Sequence, residues 1–183
     1  MDRIGDYRQY RLRLARAVAR RLVLEHRLSV PIDVEAFCKN VAGLEIYFDP
    51  GIDDRVSAVL RRDLRAVLVN ASKARVHQRF SIAHELGHWY LHSDSSVANE
   101  RTVPLAAINE LLDAEANAFA AEFLMPAAAV HEFVRAGVAD LPALAVRFEV
   151  SQEAVWYRLK ELRLAHRVRP RAISNGSPRG VVT

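Results

Sequence analysis

The chain has 183 residues, 51% of them apolar and 26% charged, with a formal net charge of +4 at pH 7. That balance suits one soluble domain with enough chain to bury a core, and no apolar run approaches the ~18 residues a membrane span needs. The charged N-terminus lacks the apolar stretch of a secretory signal, and the lone Cys38, beside Phe37 on a helical pattern, reads as a buried thiol in a reducing cytoplasm.

Tyr7 to Leu28 carries Leu14, Val18 and Leu22 at helical spacing with Arg between them, so a helix opens the chain. Pro31-Ile32-Asp33 is a helix-start signal with Asp33 as N-cap, and Val34 to Val41 follows as a short helix ending at Gly43. Leu44 to Phe48 alternates and favours a strand, which Pro50-Gly51 breaks. Val56 to Arg61 and Arg65 to Asn70 read as a hairpin around Arg62-Asp63, giving a three-stranded, largely antiparallel sheet. Ala74 to Leu91 is a long helix, Ser93 to Pro104 a polar loop, and Leu105 to Leu124 a second long helix stopped near Pro126. Helices over Ala127–Ala136, Leu141–Phe148 and Gln152–Leu164 follow, and Arg169 to Thr183 reads as a flexible tail. The fold class is α+β and mainly helical. Its expected parts are a helical extension over 1–30, one domain over 31–168 and the tail over 169–183.

Of the basic residues 23 are Arg, eight of them within residues 3 to 27 and five between 158 and 171. Such clusters can bind phosphate or an acidic partner, although a solvated helix face is the readier account of each.

The residues richest in chemistry are His84-Glu85-Leu86-Gly87-His88. On a helix, positions i and i+4 share a face, so both imidazoles can reach one metal ion while Glu85 sits beside it, placed to take a proton from an activated water. Phe80, Ile82, Ala83, Leu86, Trp89, Tyr90 and Leu91 surround the helix axis, so the helix is buried. Two His and a Glu there would be costly unless paired or metal-bound. Gly87, unfavourable in a helix interior, implies a close neighbour.

A catalytic zinc takes three protein ligands and leaves one position for water, so a third donor must come from another element. Between Ile108 and Met125 the apolar stripe runs Ile108, Leu112, Phe119, Phe123, and Glu115 falls within it. Glu122, one heptad on, is the competing choice, whereas Asp113 and Glu110 read as solvated.

Three stretches together resemble the ImmA/IrrE metallopeptidases of bacteria and their mobile elements. They are Arg79 to His88 continuing to Leu91-His92, Glu115 to Pro126, and, more weakly, Leu144 to Leu162. The resemblance covers about residues 30 to 165. It implies a zincin-like domain in which His84, His88 and Glu115 hold the metal and Glu85 is the general base. The metal expected is Zn2+, with Mn2+ as an alternative for a His-His-Glu set. It further implies a site-specific protease acting on an XRE-type helix-turn-helix repressor. The approximately thirty residues before the likeness are too few for a DNA-binding domain, so that repressor is expected to be a separate polypeptide. Cutting it would derepress stress-response or mobile-element genes.

Substrate would add as a strand to a sheet edge beside the site, for which Arg65 to Asn70 is the expected strand. His92, Tyr90 and Tyr47 are the candidates for stabilising the oxyanion, and Asn117 and Glu122 for orienting the His nitrogens. Residues 141–165 resemble the closing helices of a helix-turn-helix, with Ser151 as N-cap and Gln152, Arg158 and Lys160 towards a groove. A non-catalytic metal-containing regulator and a DNA-binding protein are the competing functions.

Overall fold

The computed structural model describes residues 3–92, 105–138 and 140–168. Helix α1 (Arg3–Glu25) leads to the short helix α2 (Val34–Phe37), which widens into one π-turn over Cys38–Ala42. The Asp33 carboxylate accepts from the Ala36 N–H and so caps α2. Gly43, at φ +65°, ends the turn in the left-handed region. A Cβ there would meet the Arg65 guanidinium at 2.7 Å, so glycine is required on both counts. Strands β1 (Glu45–Asp49), β2 (Ala58–Arg61) and β3 (Ala66–Asn70) precede α3 (Arg75–Leu91). Then come α4 (Leu105–Leu124), α5 (Ala127–Arg135), α6 (Leu141–Phe148), α7 (Gln152–Glu161) and a 3₁₀ turn over Ala165–Arg167.

The fold is α+β as expected, but its sheet is mixed rather than antiparallel. Strand order is β1-β3-β2, with β3 antiparallel to β2 and parallel to β1. A three-strand meander would have left β3 at an edge. Its Ala66, Val67 and Val69 are buried, and the central position lets such an apolar strand bury both faces. This corrects the expectation that residues 65–70 form a free edge for substrate: both edges of β3 are paired, and β2 is an open one.

One contiguous core runs through the described residues. Phe37, Phe119, Phe123 and Phe148 form its aromatic centre, with Phe119 stacked on Phe123 and Phe37 edge-on to Phe123. Helix α1 contributes Ala15, Ala19, Leu22 and Val23 to the same core and packs along α4. The expected loop over 93–104 and the tail over 169–183 lie outside the described residues. No helix among the described residues is long and apolar enough to cross a membrane.

The α6–α7 pair forms as expected, with Ser151 Oγ accepting from the Ala154 N–H. Arg158 does not face a groove. It is 1% exposed, donates to the Met125 carbonyl at 3.0 Å and pairs with Glu122 and Glu161. Of the two basic residues on the expected recognition face, Arg158 is therefore a core tether of α7 to the end of α4, and Lys160 is exposed.

Candidate metal centre

Among the described residues, helices α3 and α4 form the most extensive helix contact, and Gly87 lies in it. A Cβ on Gly87 would stand 3.0 Å from Ala116 Cα and 3.2 Å from the Ala116 carbonyl oxygen, so glycine lets the two backbones approach. The close approach brings the middle of α4 against the His-bearing face of α3.

His84 and His88 point their Nε2 atoms at one another, 3.0 Å apart. The third donor that reaches them is Asp113, whose Oδ1 lies 3.4 Å from His88 Nε2 and 3.9 Å from His84 Nε2. Among the described residues these three form a group whose ligand atoms all lie within 4.8 Å of one another. The structure thus brings Asp113, and not Glu115, to the imidazole pair. The difference has a physical origin. The pair sits at the rim of the α3–α4 contact, with both His side chains 21% exposed, so its partner comes from the margin of the α4 apolar stripe. Glu115 projects from the middle of that stripe into the interior, where it is 2% exposed.

The donor chemistry fits a divalent cation. His84 Nδ1 lies 3.0 Å from the Asn117 side-chain oxygen, which fixes the proton on Nδ1 and leaves Nε2 bare. His88 Nδ1 lies 2.9 Å from His92 Nδ1, and His92 Nε2 lies 2.8 Å from Glu115 Oε2. With a His92 Nε2–H directed at that carboxylate, His92 Nδ1 is left to accept, and His88 then carries its proton on Nδ1. Two bare Nε2 lone pairs then face each other beside a carboxylate. Tetrahedral zinc with ligand bonds of about 2.0–2.1 Å separates its donor atoms by about 3.4 Å, within the range of separations seen here. Burial, reinforced by the neighbouring imidazoles, pushes His88 down to about 4, and burial lowers His84 as well, so both imidazoles are neutral near pH 7.

Glu85, adjacent in sequence, turns towards β2. Burial raises its carboxyl to about 7, opposed by a hydrogen bond from the Leu60 main-chain N–H. The direction of that N–H follows from the ladder. Asn70 N–H donates to the Ser57 carbonyl at 3.0 Å, so Ser57, Val59 and Arg61 face β3, and alternation turns the polar groups of Ala58 and Leu60 to the open edge. A cavity of about 380 Å³ lies along this edge, bounded by Val56, Ser57, Ala58, Phe80, His84 and Glu85. Buried Asn70 shapes its approach by donating to the carbonyls of Ile52, Asp53 and Val56.

Of the groups expected around the site, Asn117 does contact His84. Glu122 does not reach the site: it is held by Arg158 and by Arg20 at 3.1 Å. His92 is 6% exposed and occupied with His88 and Glu115, so it is placed to orient a ligand rather than to face substrate. Tyr90 stacks on Phe119, and Tyr47 lies exposed on β1, across β3 from the β2 edge. The signal for His92 was present in the i, i+4, i+8 run of His84, His88 and His92. That run keeps one helix face polar for two further turns. Cys38 is buried, and burial pushes its thiol up to about 12, so it is inert.

The helix pair with its imidazoles and carboxylates is thus suited to binding a divalent metal next to an open strand. Residues 42–160 match the family model of the IrrE N-terminal-like domain, peptidase M78, and the chain belongs to that family of metallopeptidase-like domains. Among solved structures it is similar to a Mycobacterium tuberculosis transcriptional regulator, with a TM-score of 0.66 and 24% identity, over 80% of this chain and 46% of that one. It shares that protein's fold and spans less than half of its length. No match is found among curated proteins.

Proposed function

We propose that the chain is a metal-dependent endopeptidase, with His84, His88 and Asp113 as ligands and Glu85 as general base. Zinc suits the donor set, and manganese is the alternative. When bound, the metal supplies Lewis-acid polarisation of a scissile carbonyl and makes water more acidic. The observation that carries the reading is the position of Glu85, between the imidazole pair and the outward-facing Leu60 N–H. A carboxylate there can take the proton of an attacking water and hand it to the leaving amine. Burial that lifts its carboxyl to about 7 matches it to proton transfer near neutral pH. Ala58, with its polar groups directed outward, offers an extended peptide a strand to pair with, alongside the cavity.

The substrate on this reading is a separate XRE-type helix-turn-helix repressor in the cytoplasm, whose cleavage relieves repression. The family membership supports the peptidase part, and the resemblance to ImmA/IrrE proteins supports the choice of substrate. A non-catalytic metal-containing regulator would have no use for Glu85, and a DNA-binding role for α7 loses one of its two expected cations because Arg158 is buried. The test is to incubate the zinc-loaded protein with helix-turn-helix repressors from its own genome and record intact masses. A single specific cut, absent with Glu85→Gln, is expected. Uncut repressors throughout, or equal cutting by Glu85→Gln, would overturn the reading.

A further inference from the structure

The two arginine-rich stretches of the sequence meet in the structure. Arg16 of α1 pairs with Glu161 at the end of α7, and Arg20 of α1 shares the Glu122 carboxylate with Arg158 of α7. Helix α1 therefore runs against the C-terminal turn of α7. Arg13 lies on the same side of α1 as Arg16 and Arg20, because i, i+3 and i+7 share a helix face, and it is exposed. Lys160 and Arg163 are exposed where α7 ends, the Arg163 N–H donating to the Lys160 carbonyl at 3.1 Å. Among the described residues none of Arg13, Lys160 and Arg163 has an acidic partner. Glu161, the acid between them, is taken up by Arg16 and by Arg158 at 3.0 Å.

The outward face of α7 adds aromatic rings to these cations. Tyr157 is 59% exposed, and Lys160 Nζ lies 4.2 Å from its ring centroid and 5.7 Å from that of Trp156. Trp156 is half-buried and walls a hollow of about 380 Å³ with Leu141, Gln152 and Glu153. A face that only meets water needs neither ring. We propose that this surface binds a single-stranded nucleic acid, its phosphates on Arg13, Lys160 and Arg163 and its bases against Tyr157 and Trp156. Single strands are held in this way, by cations that track the backbone and aromatic side chains on which bases stack, and every base has a π-face to offer. Lys160, poised over both rings, reaches a phosphate without leaving them. Double-stranded DNA fits less well, because its base edges are read by polar side chains, whereas α7 turns rings outward and buries Arg158. An acidic peptide would be drawn by the cations but would leave the paired rings without a stacking partner. Glu153 repels phosphate from the hollow and towards Lys160, and with Gln152 it offers hydrogen bonds to a base edge there. The surface includes none of the residues assigned to the metal or to proton transfer, so it stands independently of the peptidase reading.

The test titrates the full-length protein into a labelled oligothymidylate at several salt concentrations and follows fluorescence anisotropy. A duplex, an abasic strand of the same length and polyglutamate serve as comparisons. Oligothymidylate should bind more tightly than any of the three. Tyr157→Ala should weaken that binding about 10-fold at every salt concentration, because it removes a stacking surface and no charge. Arg13→Gln/Lys160→Gln removes two phosphate contacts and should flatten the slope of log affinity against log salt by about 1.4. Arg135→Gln/Arg147→Gln removes the same charge from α5 and α6 and should leave affinity and slope as in wild type. No binding of oligothymidylate at low salt would overturn the inference. Equal affinity for the oligothymidylate, duplex and abasic strands would overturn it as well, since it marks a polyanion held by charge alone. Tighter binding of polyglutamate would assign the surface to an acidic protein and overturn it too. Should Tyr157→Ala fail to fold, the abasic strand decides: wild-type protein that binds it as tightly as oligothymidylate refutes the stacking role.

Discussion

Gly87→Ala is a sharp test of how the α3–α4 contact builds the site. In an exposed helix interior this substitution stabilises by about 1 kcal/mol, because Ala is the better helix former. Here the new Cβ would stand 3.0 Å from Ala116 Cα, 3.2 Å from the Ala116 carbonyl oxygen and 3.3 Å from Phe119 Cβ. Relaxed carbon contacts lie at about 3.5–4.0 Å. Two of the three atoms belong to the backbone of α4, and Phe119 is locked between Tyr90 and Phe123, so none can give without moving the helix. Overpacking of this kind costs about 1–3 kcal/mol, which exceeds the propensity gain. We expect a net destabilisation of about 1 kcal/mol, lowering the melting temperature of the metal-free protein by about 2–4 °C. The wider spacing also draws Asp113 and Asn117 away from His84 and His88, so zinc affinity should fall by about 10-fold. Thermal unfolding without metal and chelator competition measure the two effects. A variant that gains stability and binds zinc as tightly as wild type would refute the close-approach reasoning.

Other outcomes follow from the same geometry. Glu85→Gln should retain zinc and fold while losing cleavage by about 10²- to 10⁴-fold; single-turnover kinetics on a cleaved repressor would show it. In the metal-free protein, the folded-state Glu85 carboxyl at about 7 lies above its ordinary value of 4.5. Its contribution to stability is therefore fully present below about 4.5 and lost as pH rises through 7. Denaturant titrations should find metal-free Glu85→Gln more stable than wild type at pH 8, by up to about 3 kcal/mol, with the gap closing towards pH 4.5. The depressed His88 changes stability over pH 4 to 6.5 in both proteins and cancels in the comparison. Arg158→Met leaves Glu122, 1% exposed, with the half-exposed Arg20, and should cost about 3 kcal/mol in a urea unfolding curve.

Most of the fold was legible because its elements are strongly patterned and well punctuated. Asp33 and Ser151 cap the helices they were expected to cap, and every expected helix within the described residues is present. Strand order was not legible. Periodicity gives each strand's faces but not its neighbours, and the burial of β3 on both sides is a property of the assembled core. At the site, spacing along α3 puts His84 and His88 on one face with Glu85 beside them, because i and i+4 fix a shared face whatever else packs nearby. The third donor required knowing where along the α3–α4 contact that face lies. A rule that seeks a carboxylate within the apolar stripe finds Glu115, but the imidazoles open at the rim, where Asp113 stands.

The central claim is a metal held by His84, His88 and Asp113. Zinc stoichiometry at saturation, determined for wild type, Asp113→Ala and Glu115→Gln, tests it most directly. We predict about one equivalent in wild type and in Glu115→Gln, and none in Asp113→Ala. A full equivalent in Asp113→Ala together with none in Glu115→Gln would contradict the account and make Glu115 the ligand.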